Sequence, residues 1–405
     1  MYETELQRLT ELRETGLFSG RFYAERLISA DGGDPLTSYE RFRRIPFMTK
    51  DQIRRASVEE RTATAPEDVY GVFSSSGTTG RRTMYVYSRN DKNVHERFVR
   101  TFLAEIGVTA RDLGAVMAPI GTGVMAHTMM WEFTTMGAGY VNCPEPSPEN
   151  MLETVEDVPV SVVATRPDVV SAACYRPELR ERFAASGVRL LLLGGGFLTE
   201  GRRALLERVW GARCYSLFGM SEVFGPMAAE CQRRDGLHYL DDYLLIEVLD
   251  PLTHEPVGDG EVGVAVYTTL WDKGFPLLRY WTDDYVSVTH ESCGCRLDLP
   301  RMRFFGRRAD GLFPSPRHRD QPIVFPKQIE ETLFSHGLVG EYLCDVRDES
   351  LVVRSERCDL AEADSRAAEA ELSELCALPV SVKLVDPGTL GRHAGLRRIR
   401  RGGRQ

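Results

Sequence analysis

Between residues 91 and 230 the chain alternates short, largely apolar runs with segments of helical spacing. No other feature constrains the fold as tightly. The runs at 114–119, 160–164, 188–193 and 213–218 are too short for independent helices and sit between helical patterns. This alternation predicts an α/β fold: a layered body around a partly parallel sheet. Upstream, residues 1–60 read as helical, with a break at Pro46 and a polar cap at Thr49 ahead of Lys50, Asp51 and Gln52. The segments 70–73 and 84–87 read as two strands joined by a small-residue loop, followed by a helix at about 91–106.

After residue 236 the texture changes. Short strands are expected at 243–248, 263–269 and 285–289, separated by turns such as Val257-Gly258-Asp259-Gly260 and Cys293-Gly294-Cys295. They predict a smaller β unit. Beyond Gly306 comes a Pro/Arg-rich stretch at 314–322. A compact pattern follows, with a helix at 326–336, strands near 341–346 and 350–354, a helix at 360–376 and a strand at 380–385. The expected division is a large N-terminal domain at 1–307 and a small α+β domain at 308–405, hinged near 307–311.

A chain of 405 residues is long enough for two or three cores. Its 42% hydrophobic and 27% charged residues exclude a disordered or fibrous protein. The net charge of −9 argues against a nucleic-acid partner. The local exception is the C-terminal cluster of Arg392, Arg397, Arg398, Arg400, Arg401 and Arg404, which fits a solvated tail or an anion contact. No segment is long and apolar enough to span a bilayer, and the polar, acidic start at 1–16 is unlike a signal peptide. A cytoplasmic protein without a membrane partner is therefore expected. Nine cysteines, odd in number and scattered, fit reduced thiols. The basic residues are 45 arginines and only 5 lysines. Any lysine chemistry must therefore come from Lys50, Lys92, Lys273, Lys327 or Lys383.

Four clusters carry candidate chemistry. The loop Ser74-Ser75-Ser76-Gly77-Thr78-Thr79-Gly80-Arg81-Arg82 exposes backbone N–H and hydroxyl donors that can wrap phosphate oxygens. The same composition also suits a hairpin tip. In Leu217-Phe218-Gly219-Met220-Ser221-Glu222 an aromatic ring can stack on a flat base. The glycine allows close backbone approach, and Ser and Glu can serve a phosphate and a divalent cation. The alternative is a strand and turn with an exposed acid. Asp283-Asp284 follows Arg279-Tyr280-Trp281-Thr282, and an Asp at a strand end can accept both hydroxyls of a ribose. Cys231, His238, Cys293 and Cys295 supply two ligand pairs suited to a closed tetrahedral zinc site, with unliganded thiols as the alternative.

Together, in this order, the first three clusters resemble the adenylate-forming superfamily of acyl-CoA synthetases, aryl-acid ligases and luciferases. More narrowly, the chain resembles the phenylacetate-CoA ligase family. Pro46-Phe47-Met48-Thr49-Lys50, Gly194-Gly195-Gly196, Gly236-Leu237-His238 and Val324-Phe325-Pro326-Lys327-Gln328-Ile329-Glu330 carry the narrower likeness, which covers about residues 40–395. The resemblance implies an ATP- and Mg²⁺-dependent ligase with a swivelling C-terminal lid. Ser75, Ser76, Gly77, Thr78, Thr79 and Gly80 would hold the ATP phosphates. Phe218 would stack on adenine beside Gly219 and Met220, with Gly195 and Gly196 lining the base. Ser221 would face the α-phosphate, Glu222 would hold Mg²⁺ and Asp284 would bind the ribose. Arg307 would reach ribose or phosphate from the hinge. The acid would lie against Phe73, His127, Gly194 and Phe197. Zinc at Cys231, His238, Cys293 and Cys295 would staple the loop after 230 to the turn at 293.

The implied chemistry is attack by a carboxylate on the α-phosphate of ATP, giving acyl-AMP and pyrophosphate. It needs positioning and charge rather than a protein nucleophile. Two departures fall in the lid. Leu396 stands where the family has a lysine, with Arg397 and Arg398 beside it as the available charges. Arg319-Asp320-Gln321-Pro322 replaces the Arg-Gly-x-Asn stretch of the thiol tunnel, and Phe197 takes the place of a Glu after the glycines. These departures favour an acyl adenylate passed on to a carrier-protein thiol, an amine or a hydroxyl. A conventional acyl-CoA product is the alternative, as is a non-catalytic nucleotide- or acyl-binding protein. A small aromatic acid of specialised, natural-product metabolism is the expected substrate.

Overall fold

The computed structural model describes residues 3–31, 38–62, 64–75, 82–121, 123–312, 324–347, 350–390 and 399–401. The chain opens with helices α1 (Glu3–Glu14), α2 (Arg21–Asp31), α3 (Tyr39–Phe42) and α4 (Lys50–Arg55). Strands β1 (Val69–Ser74) and β2 (Met84–Ser88) pair antiparallel and lead into α5 (Arg89–Glu105). Then come β3 (Leu113–Val116), α6 (Val124–Thr135), β4 (Gly139–Asn142), α7 (Pro148–Asp157), β5 (Val162–Thr165) and α8 (Pro167–Cys174). They are followed by α9 (Arg180–Ala184), β6 (Leu190–Leu193), α10 (Glu200–Trp210) and β7 (Arg213–Met220). Strands β8 (Phe224–Glu230), β9 (Leu237–Tyr239), β10 (Leu244–Leu249), β11 (Val262–Thr269), β12 (Tyr280–Thr289) and β13 (Arg301–Arg307) continue the chain. The C-terminal part holds α11 (Pro326–Ser335), β14 (Tyr342–Arg347), β15 (Ser350–Glu356), α12 (Ser365–Cys376), β16 (Val380–Val385) and β17 (Ile399–Arg401).

These elements form two compact units, each threaded by more than one stretch of chain. The first comprises Met1–Asp112, Pro119–Tyr140 and Leu217–Arg303. Its sheet runs in the order β10-β11-β12-β13-β9-β8-β7, with antiparallel pairing of β10 to β11, β11 to β12, β13 to β9, β9 to β8 and β8 to β7. The antiparallel run therefore begins at the end of β7, about twenty residues before the change of texture at 236. Strand β8 carries Pro226 among small residues, so no alternating pattern announces it.

Helix α5 packs its apolar stripe, including Val94, Phe98, Val99, Phe102 and Leu103, into this unit. Its start is set by a capping box between Ser88 and Asp91. The buried Asp91 carboxylate does more than cap. It accepts from Ser88 N (2.7 Å) and Oγ (3.2 Å), Trp271 Nε1 (2.7 Å), Gly274 N (2.9 Å) and Lys273 Nζ (3.4 Å). Lys273, also buried, donates in turn to the Val223 carbonyl at 2.9 Å.

The second unit comprises Leu113–Ala118, Val141–Ser216 and Phe304–Gln405. Here β3, β5, β6 and the first half of β7 run parallel, as the apolar runs predict. All residues of β5 and β6 are buried, which is the condition of parallel strands covered on both faces. Helix α10 ends at Gly211, whose φ of 64° is left-handed. The C-terminal sheet orders β16-β15-β14-β17 around a core that includes Ile329, Leu333, Tyr342, Leu351 and Leu372. The helix and strand pattern expected at 326–385 is found there within a few residues.

A buried ion pair joins α10 to α11. Arg202 donates from Nε and Nη2 to the two carboxylate oxygens of Glu330, both at 2.8 Å, and from Nη1 to Ser171 Oγ at 2.7 Å. Thr199 Oγ1 donates to the same carboxylate at 2.8 Å. The two charged side chains are 2% and 1% exposed. Beside them, a Cβ on Gly201 would lie 2.6 Å from Phe334 Cβ, so only glycine permits this approach. Removing one charge strands the other in a dry site. Arg202→Met is therefore expected to cost about 3–5 kcal/mol, and the paired change Arg202→Met with Glu330→Leu to recover most of it. Urea denaturation of the three proteins checks this.

Candidate active site

The first unit holds four of the expected nucleotide residues, Phe218, Gly219, Met220 and Ser221, at the end of β7 and in the turn to β8. Val223 N closes that turn on the Met220 carbonyl at 3.1 Å. Gly219 is obligatory, since a Cβ there would lie 2.6 Å from the Gly225 Cα. Phe218, Met220 and Ser221 are half-buried. Tyr87 Oη donates to the Ser221 carbonyl at 3.1 Å, and Lys273 holds the next carbonyl but one, so the turn is fixed from beneath.

Glu222 is 5% exposed. Its Oε1 accepts from Tyr85 Oη at 3.0 Å and from Tyr280 Oη at 3.4 Å. The Lys50 ammonium stands 3.3 Å from the same oxygen. Burial first, and then the Glu222 charge, hold the Tyr85 phenol well above its ordinary pKa, so it serves as a donor. Glu222 is thus an oxygen donor held in place by two phenols and one ammonium, the donor type that a hard divalent cation takes.

Asp284 is buried as well, at 1% exposure. Asp283 before it is in the left-handed region, with φ 61°, and accepts from Trp281 Nε1 at 2.8 Å. Thr282 Oγ1 donates to the Ala265 carbonyl and accepts from Asp284 N at 2.9 Å. This kinked run turns Asp284 inward. Its charge adds to burial in raising the Tyr267 phenol.

Phe73 and His127 meet, with ring centroids 5.3 Å apart, and His127 Nε2 lies 3.0 Å from the Gly121 carbonyl oxygen. Trp131, one turn along α6, stands 5.7 Å from Phe73 and 4.9 Å from Tyr70. Ser75 closes the hairpin by a pair of bonds with Thr83: its N–H donates to the Thr83 carbonyl at 3.0 Å, and its Oγ accepts from Thr83 N at 3.2 Å. Ser76, Gly77, Thr78, Thr79 and Gly80 lie outside the described residues, as do Arg397, Arg398, Leu396 and the stretch at 319–322.

Two sets of expected residues belong to the second unit. Gly194, Gly195, Gly196 and Phe197 follow β6. Gly194 N donates to the Thr165 carbonyl at 2.9 Å, and Gly195 is left-handed at φ 71°. Arg307 is exposed at the end of β13.

In the first unit, four ligand atoms of Cys231, His238, Cys293 and Cys295 lie within 4.8 Å of one another. Cys231 Sγ to Cys293 Sγ is 3.8 Å, while His238 Nε2 is 3.4 Å from Cys293 Sγ and 3.5 Å from Cys295 Sγ. His238 Nδ1 is 3.0 Å from the Leu299 carbonyl, so Nε2 is the nitrogen turned to the sulfurs.

Sequence reasoning missed Lys50, Tyr85, Tyr280 and Trp131. Two signals mark Lys50: lysine is scarce, and it closes the Pro46–Lys50 segment that carries part of the family likeness. The others look like ordinary core aromatics until the strands are assembled.

A fold of this kind, with this turn and this acid, is that of enzymes acting through an acyl adenylate. The chain belongs to the AMP-binding enzyme family, whose family model matches residues 24–268. Phenylacetate-coenzyme A ligase of Thermus thermophilus is 30% identical over 88% of this chain and 83% of its own length. The Escherichia coli phenylacetate-coenzyme A ligase is 27% identical over 87% and 83%. The fold matches a 2-hydroxyisobutyryl-CoA ligase crystallised in the postadenylation state with 2-HIB-AMP, with a TM-score of 0.85 and 20% identity over 98% of this chain and 88% of that one. The protein is an ATP-binding, adenylate-forming ligase. Among the described residues no helix is long and apolar enough to cross a membrane.

One consequence of this packing is readable by pH. His95 of α5 is fully buried, with the rings of Trp131 and Phe224 at 6.0 and 5.2 Å. Burial lowers its imidazole to about 4. The unfolded chain protonates it near 6.5, so between these values the unfolded state holds more protons. Stability should therefore fall as pH drops from about 6.5 to 4, by on the order of 3 kcal/mol from this group. Denaturant unfolding at pH 7.5 and 5.0 should show a smaller loss for His95→Phe than for the wild type.

Proposed function

We propose that this ligase activates a small aromatic carboxylic acid as its acyl-AMP and passes the acyl group to the thiol of coenzyme A. The observation that carries the activation step is Glu222, buried and held by two phenols and a lysine at the turn that follows Phe218. The acid carboxylate attacks the α-phosphorus of ATP and pyrophosphate leaves with the electron pair of the broken P–O bond. No side chain is acylated. Phe218, Gly219 and Met220 would take the adenine. Ser75 to Gly80 and Ser221 would bind phosphate, and Asp284 and Arg307 the ribose side. Mg²⁺, when bound at Glu222, would neutralise phosphate charge. Residues 308–405 would act as the lid, with Arg397 or Arg398 supplying the charge that Leu396 lacks.

The aromatic class is supported by the ring contacts among Phe73, His127, Trp131 and Tyr70 in the first unit. Coenzyme A as acceptor is supported by the relatives named phenylacetate-coenzyme A ligase. An amine acceptor is favoured by a separate observation. A fumarate–(S)-2,3-diaminopropanoate ligase of Enterobacter agglomerans is 23% identical over 68% of this chain and 69% of its own length. A carrier-protein thiol is the third acceptor to test.

Acid-dependent ATP–pyrophosphate exchange across a panel of aryl acids is the first experiment. Glu222→Ala and Asp284→Ala should each lower the rate at least about 100-fold, the scale of losing a charge-stabilising group. Mass spectrometry of products with coenzyme A, with amines and with neither then assigns the acceptor. Absence of exchange with every acid would overturn the reading.

Zinc at Cys231, His238, Cys293 and Cys295 is supported by the spacing of the ligand atoms. A tetrahedral ion with Zn–S of about 2.3 Å and Zn–N of about 2.0 Å puts ligand atoms roughly 3.5–3.8 Å apart. Three of the six separations, 3.8, 3.4 and 3.5 Å, match this, and all six lie within 4.8 Å. The role would be to staple β9 to the 293–295 turn. Elemental analysis should find one zinc per chain, lost in Cys231→Ser with Cys295→Ser, together with a lower melting temperature and unchanged pyrophosphate chemistry per folded molecule.

A further inference from the structure

The position of Lys50 is determined more strictly than a surface ion pair requires. Met48 lies beside the start of β12, receiving Trp281 N on its carbonyl and giving its own N–H to the Arg279 carbonyl, both at 2.9 Å. Arg279 is itself locked, forked onto Glu247 by two bonds of 2.9 Å and bonded to the Arg43 and Ile45 carbonyls. Thr49 then caps α4 reciprocally with Gln52, at 3.0 and 3.4 Å, and Ile53 anchors the helix in the core. The backbone at residue 50 is thus held on both sides. Only the four-carbon side chain can turn.

That side chain is 42% exposed, whereas the Glu222 side chain it meets is 6% exposed. The ammonium therefore sits at the boundary between the buried acid and the solvent, with two phenols already bonded to the same carboxylate oxygen. The chain uses arginine for 45 of its 50 basic residues, yet lysine stands here. Arginine forms a fixed planar fork, which suits a permanent carboxylate pair. Lysine is a compact charge with rotatable donors, which suits a partner that arrives and departs. Lys273 makes the contrast, since it is buried, bonded to Asp91 and to a carbonyl, and has nowhere to turn.

We propose that Lys50 is a phosphate-binding catalytic residue of the adenylation step. It pairs with Glu222 in the nucleotide-free enzyme. When the triphosphate enters, it turns to the non-bridging oxygens of the β- and γ-phosphates and offsets the charge that grows on departing pyrophosphate. It exchanges no proton and forms no covalent bond. The proposal rests on the reading of this turn as the ATP site.

The test compares wild type, Lys50→Gln, Lys50→Met and Lys50→Arg by calorimetry with ATP, pyrophosphate and AMP, and by pyrophosphate exchange. Thermal melting serves as the check on folding, and the methionine variant retains the apolar stem. The expected result is a loss of about 10²–10³-fold in exchange rate for the neutral variants. ATP and pyrophosphate affinity should fall at least about tenfold while AMP affinity stays within about twofold, and Lys50→Arg should recover part of the loss. Equal loss for ATP and AMP would assign Lys50 to holding Glu222 alone and overturn the proposal, as would unchanged ATP affinity and rate. A wild type that binds neither nucleotide overturns the ATP-site reading instead, an outcome visible before any variant is made.

Discussion

Asp91 receives hydrogen bonds from two backbone N–H groups, a hydroxyl, an indole and an ammonium, all away from water. A carboxylate so buried is tolerable only because each donor offsets part of its lost hydration. In return it fixes where four segments begin or turn. Helix α5 starts on it, β2 ends on it, the 271–274 segment wraps around it, and through Lys273 it grips the carbonyl of Val223. That last bond reaches the residue after Glu222. The acid that reads as the metal-binding group is thus positioned by a charge network one layer below, and its own contacts to Tyr85, Tyr280 and Lys50 add to a turn already fixed. The low-dielectric setting makes such a network stiff, since any partial opening leaves a charge without a partner.

The elements that the sequence made legible are those whose signals are local. Thr49 caps α4 and Ser88 precedes α5, and both lie where a polar residue followed by helical spacing places them. The four parallel strands follow from their apolar runs, and the C-terminal pattern from its alternation of periods. What stayed hidden depends on partners far along the chain. Strand β8 has no period of its own and exists because β7 and β9 flank it. The trio on Glu222 comes from positions 50, 85 and 280, which no spacing rule connects. The phosphate-loop and glycine motifs were recognised as a set in a given order, and the family match bears out the class of enzyme they imply. The turn at 219–222 was legible for a physical reason: Gly219 has no room for a side chain, and that demand leaves a mark in the sequence.

The protein also divides its basic residues by task. Arginine makes the fixed, forked contacts: Arg279 on Glu247 and Arg202 on Glu330, each with two parallel bonds and almost no exposure. Such pairs hold geometry rather than contribute large net stability, because desolvation consumes most of the attraction. Two lysines meet carboxylates that already have other donors: Lys273, buried and fixed, on Asp91, and Lys50, partly exposed, on Glu222.

The Arg202–Glu330 pair has a consequence for how this chain can be shortened. Residue 330 lies in the C-terminal α11, while Arg202, Thr199 and Ser171 lie more than a hundred residues earlier. Cutting the chain before α11 would not deliver the same protein without an appendage. It would remove the carboxylate on which Arg202 is forked and the Phe334 ring beside Gly201, leaving Ser171 Oγ from this set of contacts. A descendant that lost this C-terminal segment would gain from a change at 202 in the same step, because that side chain is seated for a partner supplied from residue 330.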